Sequence, residues 1–257
     1  MTPIVDLRGK RGLVVGVANA DSIAHGCARA FRAAGAELAF TYLNAKAEPH
    51  VRPLAEDLGA AIIAPCDVRE PGQLEAVFER IAKDWGRLDF LLHAIAFAPQ
   101  EDLHASLIDC SSEGFALAMD VSCHSFIRMA RLAAPLMTLG GSLQTISFLG
   151  ASRVVENYNL MGPVKAALEA SVRTLAADLA PRRIHVHALS AGAVRTRAAS
   201  GIDRFDALLD RAREETPANR LVTIEEIGRV AAVLASDVGA PLTGSVTTVD
   251  HGLHLMG

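Results

Sequence analysis

The chain reads as an α/β protein of Rossmann type, a doubly wound parallel sheet of about seven strands with helices on both faces. Two observations predict this. Short apolar, β-branched runs alternate with longer helical patterns from one end of the chain to the other. The first of those runs is apolar on consecutive residues, as expected of a strand covered on both sides. No repeat, low-complexity tract or linker divides the 257 residues. That length suits one large α/β domain or two small ones, and 1–257 is taken as a single dinucleotide-binding unit.

The first strand is expected over 11–17. A helix follows from Ser22, a natural N-cap, to about residue 34, where Gly35 stops it. The second strand is 36–42, then a helix over 48–58 and a third strand over 60–65. A helix over about 71–85 leads to the fourth strand, 88–96. Helical stretches near 113–139 precede the fifth strand, 142–147. Pro163 is tolerated only in a first helical turn, so the next helix begins no earlier than about residue 160 and runs to about 179. A sixth strand over 184–189, helical signals over 203–215, a helix over 223–236 and a last strand over 245–249 complete the pattern. Right-handed crossovers are the default for such units, and ligands sit at the carboxyl ends of the strands where strand order switches.

Composition narrows the function classes. Hydrophobic residues make up 51% of the chain and charged residues 21%, which argues against disorder. A net charge of -4 argues against a nucleic-acid-binding surface. No apolar run reaches the roughly 18 residues of a membrane span. Residues 1–10 lack the apolar stretch of a signal peptide. Cys27, Cys66, Cys110 and Cys123 lie far apart without a CxxC pair, which fits idle thiols in a reducing cytoplasm.

The chain has two tyrosines, and the second, Tyr158, precedes Lys165 by about two helical turns. On one helix the two side chains would share a side, and a phenol near an ammonium ionises more easily and donates better to a developing oxyanion. The turn after the first strand, with Gly16 and a helix opening at Ser22, could offer amides and a helix dipole to a pyrophosphate, although the full glycine fingerprint is absent. Asp67, after the third strand, could accept from an adenine amino group. Near Lys46 no acid stands for a ribose hydroxyl and no arginine for a 2′-phosphate, so NADPH stays open beside NADH. His185 and His187 face one way on a strand, but with no third ligand in view, packing is the better reading and no metal site is expected. His93 is read as structural, and Glu225 and Glu226 as acids complementing a helix dipole.

These residues resemble the short-chain dehydrogenase/reductase superfamily and, within it, the bacterial NADH-dependent enoyl-[acyl-carrier-protein] reductases. The resemblance covers essentially the whole chain. It rests on 9–18, on Ser22, Ile23 and Gly26, on 35–42, on Cys66 to Val68 and on Phe97 to Pro99. It continues through Tyr158, Asn159, Met161, Gly162 and Lys165, then Arg195 and Thr196, 198–202, and Thr223 to Glu225. Ordinary members of the superfamily keep a tyrosine four residues before the lysine. Met161 holds that place here, and the wider Tyr158–Lys165 spacing marks the enoyl reductases.

The resemblance implies hydride transfer from NADH to an enoyl thioester on acyl-carrier protein, in fatty-acid synthesis, by a cytoplasmic homotetramer. It makes Tyr158 the donor to the enolate oxygen and Lys165 the holder of the nicotinamide ribose. It places cofactor contacts at Gly16, Ser22, Ile23, Asp67, Val68, Ile95, Lys165, Val194, Arg195, Thr196, Arg197 and Ala198. Substrate contacts fall at Ala98, Tyr158 and Met161, and 196–216 becomes the substrate-binding loop and helix.

The chain also departs from the family pattern. Phe148 replaces a second active-site tyrosine, as in the mycobacterial-type enzymes, and keeps an aromatic wall without a hydroxyl. Leu43 replaces a glutamine beside the adenine ribose. Ala94-Ile95-Ala96 replaces Ser-Ile-Gly, and His124 an aromatic residue. His251 replaces a glycine and is expected to need a negative φ. A carbonyl or 3-oxoacyl reductase, or a dinucleotide-binding paralogue without turnover, are the alternatives.

Overall fold

The computed structural model describes residues 4–196 and 205–256. Seven parallel strands form one sheet in the order β3-β2-β1-β4-β5-β6-β7. They are β1 Arg11–Val15, β2 Glu37–Tyr42, β3 Ile62–Pro65, β4 Phe90–His93, β5 Gly141–Phe148, β6 Ile184–Ala191 and β7 Val246–Val249. The described helices are α1 Ile23–Ala33, α2 Glu48–Asp57, α3 Gln73–Trp85, α4 Gln100–His104, α5 Ser112–Met119, α6 Ser125–Ala133, α7 Met161–Leu179, α8 Phe205–Glu215 and α9 Ile224–Ala235.

Alternation along each strand feeds two cores. Leu13 and Val15 of β1 face α3, α6 and α7 through Leu74, Phe126 and Leu168. Val14 faces the opposite layer, where Phe31 of α1, Val51 of α2 and Ile227 of α9 are fully buried. Gly26 and Gly228 let α1 and α9 touch: a Cβ on Gly26 would lie 2.4 Å from the Ile224 carbonyl oxygen. Gly26 therefore serves helix packing. A third, small cluster joins Ala193 and Leu253 to Phe205, Leu209 and Ala212 of α8.

The element order is as expected, with two local corrections. β1 and β4 are shorter than 11–17 and 88–96, because Val15↔His93 is the last pair of their ladder and the chain beyond it turns into a site. The helical stretches expected near 113–139 are α5 and α6, joined by a π-turn, Asp120–His124, and followed by a 3₁₀ turn, Ala134–Leu136. His251 adopts φ 55°, against the expected negative value. Histidine is among the residues that enter the left-handed region more readily. Here its Nε2 pairs at 3.1 Å with Glu226, which also closes a capping box with Thr223 on α9 and binds Arg220. Glu226 is thus a structural hub as well as a dipole partner.

Candidate active site

β2 and β3 lie on one side of β1 and β4 to β7 on the other, so strand order switches between β1 and β4. A cavity of about 490 Å³ opens there, at the carboxyl ends of the strands. Its walls come from the turn after β1 (Gly16, Ala18, Ser22), from 94–98 after β4, from Ile146 to Phe148 of β5, and from 191–194 after β6. Tyr158, Met161 and Lys165 close one side.

Gly16 has φ 113°, and a Cβ there would stand 2.2 Å from the Ala94 carbonyl oxygen. No side chain fits where the first turn crosses the β4 segment. Ser22 holds the N-cap position, but its side chain does not cap α1. Its hydroxyl donates to the Asn19 carbonyl at 2.6 Å and folds the turn inward. The first amides of α1 are thereby left without a side-chain cap.

Tyr158 is not on the helix with Lys165. It lies three residues before α7, in a tight turn whose flanking residues Asn157 and Asn159 take φ 61° and 32°. Asparagine tolerates that region, and the Asn159 side-chain amide ties the turn to the Leu103 carbonyl at 3.0 Å. α7 starts at Met161, so Pro163 sits harmlessly in the first turn.

The Tyr158 ring is buried and meets the Phe148 ring tilted, with centroids 4.8 Å apart. Burial pushes the phenol above its ordinary range. This corrects the expectation that Lys165 eases its ionisation: desolvation dominates, and the phenol stays protonated. Lys165 is buried too, its Nζ donates to the Ile146 carbonyl at 2.7 Å, and burial lowers its ammonium to about 8. One turn on, Glu169 accepts from Ser147 Oγ at 2.6 Å.

Of the residues singled out in the sequence, the cavity brings together Gly16, Ser22, Ile23, Ile95, Ala98, Phe148, Tyr158, Met161, Lys165, Val194 and Thr196. Asp67 and Val68 lie outside its lining. The Asp67 carboxylate is held by Arg69, 2.6 Å away, whose hydrogen bonds keep it below the usual carboxylate range. Val68 is buried in the core beneath β3. Arg195 pairs with Asp206 at 2.7 Å. Arg197 and Ala198 lie outside the described residues. His93 is fully buried between Thr145 and Ser125, each 2.8 Å from a ring nitrogen, as the structural reading expected. His187 is buried and His185 half-buried on β6, and desolvation lowers both.

Sequence reasoning missed the α4 residues Gln100 and Leu103, which also line the cavity. Pro99 followed by Glu101 and Asp102 is a helix-start signal that would have found them. It also missed a neighbouring cavity of about 560 Å³ behind Phe148, between 149–157, α8 and the C-terminal Leu253 and Met256.

A family model described as enoyl-(acyl carrier protein) reductase matches residues 16–254. The chain belongs to this family. It is 45% identical over 97% of its length to an enoyl-[acyl-carrier-protein] reductase [NADH] of Rhizobium meliloti, covering 93% of that protein. It is similar to the crystal structure of an Anaplasma phagocytophilum enoyl-(acyl-carrier-protein) reductase in complex with NAD, with a TM-score of 0.92 and 43% identity over 98% of this chain and 94% of that one. It is also similar to a Bacillus cereus enoyl-acyl carrier protein reductase with NADP+ and an indole naphthyridinone, with a TM-score of 0.95 and 44% identity over 98% of each chain.

Proposed function

We propose that the chain is an enoyl-acyl-carrier-protein reductase that uses NADH in fatty-acid synthesis. The observation that carries this reading is the pairing of a buried Tyr158 with a buried Lys165 in one cavity at the strand-order switch of an enoyl reductase fold. The Gly16 cradle and the uncapped amides of α1 suit a pyrophosphate. When bound, NADH supplies the hydride for the β-carbon of a trans-2-enoyl thioester.

Tyr158 donates a hydrogen bond to the thioester oxygen as negative charge gathers there. Its raised pKa serves this role, because a phenol that stays protonated keeps its donor. Lys165, charged below about pH 8, holds the nicotinamide ribose hydroxyls and adds a positive field. Phe148 packs against the Tyr158 ring and fixes its orientation. Gly16, Ser22, Ile23, Ile95 and 194–198, with Arg195, Thr196, Arg197 and Ala198, hold the cofactor. Asp67 and Val68 take its adenine end. Ala98, Met161 and Tyr158 face the substrate. The whole chain works as one dinucleotide-binding unit, with 196–216 as its substrate-binding loop and helix. Acyl-carrier protein delivers the substrate, and the enzyme works in the cytoplasm as a homotetramer.

A carbonyl reductase would want a hydroxyl beside Tyr158, and Phe148 offers none, so enoyl reduction is favoured. The test is NADH oxidation with a crotonyl thioester, by the wild type and by Tyr158→Phe. Turnover by the wild type and a loss on the order of 10²–10³ in kcat for the variant are expected. Reduction of ketones but not of enoyl thioesters would overturn the assignment.

A further inference from the structure

The π-turn between α5 and α6 brings a buried hydroxyl to the cavity wall. Single π-turns inside helices are rare and favour functional places. This one, Asp120–His124, turns the Ser122 side chain out of the helix and toward the end of β4. Ser122 is fully buried. Its hydroxyl accepts from the Phe97 amide at 2.9 Å and donates to the Phe97 carbonyl at 3.1 Å. One side chain thereby satisfies both backbone groups of a residue that has left the β4 ladder, as a neighbouring strand would. Phe97 sits in the middle of the cavity wall, between Ile95 and Ala98, and its ring lies under the Arg69 guanidinium, 5.6 Å from the centroid.

We propose that Ser122 is a positioning residue for the cofactor. It sets the backbone of 95–98 so that this wall is formed before NADH arrives. It touches neither ligand itself, and binding gains because the wall is ordered in advance. The first residue of α6, just past the π-turn, supplies a built-in comparison. Ser125 is an equally buried hydroxyl, but it bonds the Val121 carbonyl at 2.6 Å and His93 at 2.8 Å, and it leaves Phe97 alone.

This inference rests on the nucleotide half of the proposed function. Its test therefore measures NADH affinity without an enoyl substrate, by quenching or energy transfer from Trp85 with the full chain. Ser122→Ala is expected to raise the NADH dissociation constant about tenfold, equivalent to about 1.4 kcal/mol. Ser125→Ala is expected to lower the melting temperature but to leave that constant within about twofold of the wild type. In turnover, Ser122→Ala should raise the KM for NADH and leave kcat at saturation nearly unchanged. Ser122→Cys keeps the side-chain volume with a weaker donor. It should fall between wild type and alanine, and it carries the test if alanine does not fold. An unchanged NADH constant in Ser122→Ala or Ser122→Cys, or an equal rise in Ser125→Ala, would overturn the inference. A wild type that binds NADH but reduces no enoyl thioester would remove the enoyl reading and leave this test intact.

Discussion

Gly150 offers a way to move the Tyr158 ring without altering its chemistry. A Cβ on Gly150 would lie 2.3 Å from Tyr158 Cδ1 and 2.7 Å from Cε1. Ordinary contact begins near 3.4 Å, so the ring must retreat by about 1.1 Å. Phe148 blocks that retreat on its own side, with its ring centroid 4.8 Å away. Gly150 cannot easily back off either, since it is buried and its carbonyl oxygen is close to Gly162. Overpacking of this kind costs about 1–3 kcal/mol in stability. A displacement near 1 Å at a reacting group can cost on the order of 10² in rate. Gly150→Ala is therefore expected to lower kcat about a hundredfold on a crotonyl thioester and to keep NADH affinity. Because the loss runs through Tyr158, the double variant with Tyr158→Phe should be no slower than Tyr158→Phe alone. Wild-type kcat in Gly150→Ala, or losses that multiply in the double variant, would refute the reasoning.

Two further expectations follow from buried titrating groups. Lys165 is lowered to about 8 from 10.5, so between these values the folded protein binds fewer protons there than the unfolded chain. This group makes stability rise with pH across that window, while activity runs the other way as the ammonium is lost. kcat/KM should fall with a one-proton limb near pH 8, and a profile flat up to 10.5 would contradict the role of Lys165. His93 is lowered by burial to about 3 from 6.5, so its contribution is present at neutral pH and is lost as pH falls from 6.5 toward 3. The urea midpoint should drop across that range, and His93→Gln should start lower and drop less steeply.

Much of the fold was legible because its signals are local. Apolar runs, glycine stops and caps such as Thr223 announce elements one at a time. The seven strands, the late start of α7 behind Pro163 and the Tyr158–Lys165 spacing could all be read before any contact was known. What the sequence could not decide was how side chains from distant segments meet. Whether Tyr158 ionises easily depends on how deeply the fold buries it, and burial outweighed the lysine. The sign that His251 tolerates depends on Glu226 standing beside it. The Ser22 hydroxyl turned to a carbonyl rather than to its helix, and Asp67 met Arg69. The π-turn has no periodic signature, and Ser122 finds Phe97 only because the crossovers set α5 and α6 against the end of β4. Element type follows from neighbours a few residues apart. Protonation, strain and side-chain partners follow from packing between residues far apart in the chain, and that is settled only by the tertiary structure.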